Sequence, residues 1–296
     1  MPFGLLAGLG AALAWGTMDI GSALASRRLG SLSVTAGGQV VSAILLLGLL
    51  LAAHQSLPTD PRAIVVSAFV GVVGAAAYLA YFTGLRIGPI SVVSGMVAAY
   101  GGVVVLLAVV IRAEHLTAFQ AVGAIVSTVG VVMTAVAFDQ GWRRSHLAGP
   151  GVVFAIVALV LFAVMTIGLA EAIETSAWLP VITLSRGVNA VLTVVVVAVA
   201  AVTRHPAFSA VLVAPLAANR RAWLLVILGG ILDAAGLISI SVGLESASTW
   251  LVGLASSFGP AVTILAAVAF LGERLRPIQW LGLAGIAVGL VAIALP

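Results

Sequence analysis

Asp19, Arg186 and Asp233 are ionisable residues set inside long apolar stretches, where charge is hardest to keep. Holding a charge at the centre of a bilayer costs about 2.5–3.5 kcal/mol on insertion scales, so each must be paired, hydrated in a cavity or neutralised. A helix rise of about 1.5 Å per residue puts Asp233 about 15 Å from either face and Arg186 about 12 Å deep, which predicts an Asp–Arg pair between the seventh and eighth spans. Asp19 lies about 8 Å below the face opposite the termini, level with Gln39 at about 11 Å, and these two form a second expected contact. Such residues have two readings. One is a buried pair that fixes helix register; the other is a site where Asp233 exchanges a proton or a substrate ammonium. For Asp19 the alternative to a site is a polar residue at a wet mouth.

Other polar residues share faces with these charges. Arg186, Asn189 and Thr193 fall at i, i+3 and i+7 on one helix, and Trp15, Asp19, Ser22 and Ser26 make a similar stripe on the first. Small polar groups also serve as interhelical hydrogen bonds, the commoner use. Tyr78, Tyr81 and Tyr100 are either cavity walls or interface anchors. Ser256, Pro260 and Thr263 share a face of the ninth span, where Pro260 frees the Ser256 carbonyl to meet a solute or simply kinks the helix. The expected substrate- or proton-binding set is Asp233, Arg186, Asp19 and Gln39, with Asn189, Trp15, Tyr78 and Ser256. Glu114 and Glu273 precede helix starts and are expected to cap amides. Glu171, Glu174 and Glu245 mark helix ends and carry no special role.

The elements that position these residues follow from composition. A chain 62% hydrophobic and 7% charged, with mean hydropathy +1.28, is an all-α integral membrane protein. Apolar runs predict ten transmembrane helices near 3–24, 32–53, 62–84, 89–111, 117–138, 148–170, 178–202, 222–243, 248–271 and 277–295. Runs this uniformly apolar are helices, because barrel strands alternate apolar and polar residues. Met1 to Gly4 lack the charge and cleavage site of a secretory signal, so the first span is expected to remain. With no cysteine, thiolate metal sites and disulfides are excluded, and no metal or cofactor is expected.

The chain repeats itself. One constant shift aligns Gly84, Val93, Glu114, Gln120 and Gly130 with Gly243, Val252, Glu273, Gln279 and Gly289; a second aligns Trp15, Met18 and Gly21 with Phe162, Met165 and Gly168. The repeats cover 1–140 and 146–296, with a longer loop at 203–221. Five spans each is an odd number, so the second copy is inverted, and two five-span bundles are expected to face each other across a mid-membrane pocket. Arg186 aligns with Gln39, Asp19 with Thr166 and Asp233 with Gly74. Each charge therefore has a neutral counterpart, as a solute site would require.

Trp15-Gly16, Ser257-Phe258-Gly259-Pro260, Leu271-Gly272-Glu273-Arg274-Leu275, Gln279-Trp280 and Gly282 together resemble the EamA family of the drug/metabolite transporter superfamily. In that family a proline precedes the loop glutamate by the spacing Pro260 keeps to Glu273. The first half has Glu114-His115-Leu116 and Gln120, but Gly101 in place of the proline. The resemblance implies a ten-helix exporter or importer of amino acids, sugars or amphipathic drugs with a central cavity, and both termini cytoplasmic. Charge implies the reverse. The face opposite the termini carries Arg27, Arg28, Arg86, Arg143, Arg144, Arg204, Arg220, Arg221, Arg274 and Arg276, against Arg62 and Arg112 on the termini face, so the positive-inside rule puts both termini outside.

The expected function is secondary transport of a small molecule across the cell (inner) membrane by alternating access, coupled to protons or exchange. The lipid bilayer is the other partner, a homodimer is allowed, and nucleic acid is excluded. An intramembrane enzyme is disfavoured because His54, His115, His146 and His205 all fall in loops. A channel or a non-transporting receptor remains the alternative, although no filter or charge ring is evident.

Overall fold

The computed structural model describes residues 2–87, 93, 96–135, 149–203, 220–259, 261–262, 265 and 276–294. Pro260, Thr263, the Leu271–Leu275 motif with Glu273, His146, His205, Arg143, Arg144, Arg204 and Arg274 lie outside these residues. The described chain is helical throughout: α1 Pro2–Leu29, α2 Ser31–Ala52, α3 Pro61–Ile87, α4 Tyr100–Arg112, α5 Ala118–Ala135, α6 Pro150–Thr175, α7 Trp178–Thr203, α8 Arg220–Ser246, α9 Thr249–Ser256 and α10 Pro277–Ala294. Six of these, α1, α2, α3, α6, α7 and α8, are long and apolar enough to cross a membrane. Their outward faces expose residues such as Leu6, Ile44, Val65, Val153, Val191 and Leu224. A belt of that kind is stable only against lipid, and the chain is a multi-pass membrane protein.

Local chemistry sets where helices start and stop. Asp60 and Pro61 open α3, the Asp60 carboxylate accepting the Ala63 amide at 2.9 Å. Thr117 and Gln120 form a reciprocal capping box at α5, with Thr117 N donating to Gln120 Oε1 at 2.9 Å and Gln120 N to Thr117 Oγ1 at 3.3 Å. The second repeat reuses half of it, as Arg276 N donates to Gln279 Oε1 at 3.0 Å. Gly30, at φ 80°, turns α1 into α2 in a conformation that an L side chain rarely adopts. α6 runs to Thr175, five residues past its apolar run ending near 170, and Glu171 and Glu174 of that added stretch are paired by Arg62 and Arg112.

Packing follows the duplication. α1 lies on α8, α2 and α9; α6, its counterpart, lies on α3, α7 and α4. The halves therefore do not stand as two separate five-span bundles, contrary to expectation. Helices α1, α2, α8 and α9 form one group and α6, α7, α3 and α4 the other, each mixing both repeats. Small residues make this interleaving tight. A Cβ on Gly71 would sit 2.7 Å from Val188 Cβ and one on Gly230 would sit 2.6 Å from Val41 Cβ, the same contact in the two groups. α5 and α10 pack antiparallel, Gly123 against Gly289 and Gly130 against Gly282. Gly101, where the proline of the motif would stand, abuts the Ser257 side chain and has no room for a larger residue.

Candidate functional site

Asp233 lies thirteen residues from each end of α8 and is 1% exposed; Arg186 of α7 is 3% exposed. The expected pair forms: Arg186 Nη2 is 3.2 Å from Asp233 Oδ2 and 3.4 Å from Oδ1. Two more helices complete it. Tyr78 of α3 donates its hydroxyl to Asp233 Oδ1 at 3.2 Å, and its ring centroid lies 5.8 Å from the guanidinium carbon of Arg186. Gln39 of α2 accepts a hydrogen bond from Arg186 Nη1 through Oε1.

Gln39 thus bonds Arg186 and not Asp19, which corrects the expected Asp19–Gln39 contact. The cause is reach and charge: a guanidinium offers five donors in a rigid fork, so one group spans from Asp233 to the amide oxygen of Gln39. Gln39 and Arg186 are also equivalent positions of the repeat. Their contact marks the point where α2 and α7 cross and one half passes into the other. Chemical capacity is left over: Arg186 Nε has no hydrogen-bond partner among the described residues, and Asp233 Oδ2 meets Arg186 only through the ion-pair contact, without a hydrogen bond. A cavity of about 20 Å³ touches Gln39, Tyr78 and Asp233 and is bounded by Met18, Ser22 and Thr35. That is room for about one water, so in this conformation the cluster is closed to solute.

The remaining predicted residues divide. Trp15 packs its indole on Gly236, three residues along α8 from Asp233, and its buried Nε1 meets no acceptor among the described residues. Asn189 stays apart from the pair: it is buried, accepts the Thr193 hydroxyl at 3.2 Å and lies against Gly74, the position aligned with Asp233. Ser256 shares a hydrogen bond of 2.8 Å with the Tyr100 hydroxyl. Asp19 is partly exposed on α1 and bonds to no described residue.

Two features escaped sequence reasoning. Phe162 of α6 stands edge-on to Tyr78 at 5.2 Å and lies 6.2 Å from both Tyr81 and Tyr100. Its alignment with Trp15 was the available signal. The second is an ionic knot at the termini face. Arg112 contacts Glu114 at 3.2 Å and Glu171 at 3.3 Å, also pairs with Glu174, and Arg62 pairs with Glu171. Helix-end acids dismissed individually turn out to face the two arginines of that side. Glu114 does cap a helix, but a different one from its successor. Ala113 turns the chain through the left-handed region at φ 52°, and both Glu114 oxygens accept amides of α9, from Thr249 and Trp250, each at 3.1 Å. Burial raises the Glu114 carboxyl, but the bonds from Thr249, Trp250 and Arg112 outweigh it and hold it below its ordinary value. A cavity of about 330 Å³ opens beside this knot, lined by Arg112, Glu174, Glu245 and Thr249.

Comparison with known proteins gives the fold and the family. A solved crystal structure of a protein matches with a TM-score of 0.80 at 18% identity, covering 98% of this chain and 95% of the other, which is a likeness of fold. No curated protein sequence matches significantly. The model of the EamA-like transporter family matches twice, over residues 2–136 and 149–295. With both halves matched and the two copies packed as counterparts, this chain belongs to the EamA-like transporter family.

Proposed function

We propose that the protein is a secondary active transporter that moves a small metabolite or amphipathic drug by alternating access, coupled to protons or to exchange. Membership of a transporter family sets the class. The mechanism rests on one observation, the closed Asp233–Arg186–Gln39–Tyr78 cluster at the crossing of α2 and α7. A charged pair at that depth, with the Arg186 Nε donor unfilled and Asp233 Oδ2 held only by the ion pair, is a place where a polar solute gains what the protein alone leaves unmet. Rocking of the two mixed helix groups about the crossing would open the cluster to one face and then the other. Arg186 supplies the anchor for an anionic or carbonyl group, Asp233 exchanges a proton or an ammonium, and Tyr78 orients Asp233.

In this reading ten spans form two inverted repeats, 1–140 and 146–296, in the cell (inner) membrane. The arginine-rich face is cytoplasmic by the positive-inside rule. Because the chain has no cysteine, single-cysteine variants in the 54–60 loop and at Ser248 report orientation directly through impermeant maleimides. The functional test is solute flux in liposomes that hold this protein alone, screened with radiolabelled amino acids, sugars and cationic drugs. Saturable flux that responds to an imposed gradient is expected. Flux that is linear in concentration and indifferent to gradients would favour a channel, and no flux with any solute class would remove the transporter reading.

A further inference from the structure

The two mixed helix groups meet along a seam, and the central cluster lies in it: Asp233 of α8 and Gln39 of α2 belong to one group, Arg186 of α7 and Tyr78 of α3 to the other. The free space that touches this cluster runs one way. α2 and α8 enter from the face opposite the termini and α3 runs toward it, so Thr35, which precedes Gln39, Phe82, which follows Tyr78, and Val226 and Gly229, which precede Asp233, all lie on that side. Toward the termini face the seam is packed, with Gly253 of α9 against Val104 of α4 and Thr166 of α6.

Outside that packing the seam opens again. The cavity of about 330 Å³ has Ile173 and Glu174 of α6 on one wall and Leu244 and Glu245 of α8 on the other, one wall from each group. Here Glu114, carried by the end of α4, crosses to the other group and accepts the amides of Thr249 and Trp250 at the start of α9, each at 3.1 Å. An ordinary cap precedes the helix it serves. This one ties down the first turn of a helix in the opposite group, where Trp250 is buried. Arg112 holds the carboxylate from its own side at 3.2 Å and is itself held by Glu171 and Glu174. Glu174 and Glu245 line the same cavity from opposite groups, so their like charges push the seam apart, and Arg112 offsets that on the α6 side.

We infer that Glu114, held by Arg112, is the latch of a gate at the termini face: while it caps α9 the seam is shut on that side and the cluster is approached from the opposite face, and its release opens the termini side. This deepens the transport reading and rests on it for what passes the gate, though not for the two conformations themselves.

Single cysteines in this cysteine-free chain report both sides of the latch, in the full chain in lipid nanodiscs, where both faces meet a water-soluble methanethiosulfonate. Ser256→Cys lies about 10 Å inward from Thr249, at the contact with Tyr100 of the other group, and Ser22→Cys borders the free space on the opposite side. Adding Glu114→Gln should speed modification of Ser256→Cys about fivefold, the equilibrium equivalent of one helix cap, and slow that of Ser22→Cys. General loosening of the fold speeds both, and a cap with no part in gating alters neither; either result overturns the latch. If Glu114→Gln does not fold, Glu174→Gln, which leaves the cap in place and takes one carboxylate from Arg112, is read by the same two rates and in the same sense. Saturable flux in liposomes without the opposed shifts defeats the latch alone; opposed shifts without flux of any solute defeat the transport reading and leave a two-state seam.

Discussion

The two repeats share contacts and differ in chemistry. Gly71 meets Val188 as Gly230 meets Val41, and α5 and α10 meet each other through matching glycines. At the centre the likeness stops: Arg186 has Gln39 as its counterpart, and Asp233 has Gly74. Close backbone packing is thus a property of the scaffold that both copies retain. Arg186 and Asp233 both belong to the second copy, and Gln39 of the first reaches across to Arg186. The scaffold is symmetric between the copies and the buried ion pair is not.

The comparison is broken most severely by restoring symmetry at the crossing. Arg186→Gln gives both repeats the same residue but strands Asp233 in the membrane without its cation. The expected cost is about 3–5 kcal/mol, read as a fall in thermal unfolding temperature in detergent. Adding Asp233→Asn should recover much of it, and a double variant as unstable as the sum of the singles would show that the pair is not coupled.

A smaller effect is expected from Tyr78→Phe. The hydroxyl donates to a buried carboxylate, and loss of a hydrogen bond to a charged group costs about 1.5–3 kcal/mol. If unfolding is unaffected while gradient-driven flux declines, Tyr78 orients Asp233 without holding the fold.

The smallest effect lies at the termini face. The Glu114 carboxyl is held below its usual value of 4.5, so its folded form favours the charged state more than the unfolded chain does. That contribution is fully present above the unfolded value and is lost as pH falls through the lowered folded one. Glu114→Gln should remove about 1 kcal/mol near neutral pH, as loss of a helix cap does, and flatten the acid limb of the stability profile. An unchanged acid limb would mean that the carboxylate adds nothing to α9.

Much of this was legible in the sequence because it depends on depth along a helix. Arg186 and Asp233 were predicted to pair from residue rise alone, and they do. The partner of Gln39 was misassigned because equal height does not fix azimuth, and because a long guanidinium reaches farther than a carboxylate. Glu114 shows the same limit: its capping chemistry was readable, but the helix it caps is 135 residues away in the chain and is brought near only by interleaving of the repeats. Tyr100 meets Ser256 for the same reason. Local hydropathy determines spans and depths, whereas neighbours across the bundle are set by glycine contacts whose pairing no periodicity displays.

Gradient-driven uptake by Asp233→Asn in proteoliposomes, beside the unmodified protein and at matched folded fraction, is the most direct test. If the buried pair is where solute and coupling charge meet, uptake driven by a pH gradient disappears while the protein still folds and inserts. Uptake driven as strongly as before would contradict the account and leave the pair as architecture.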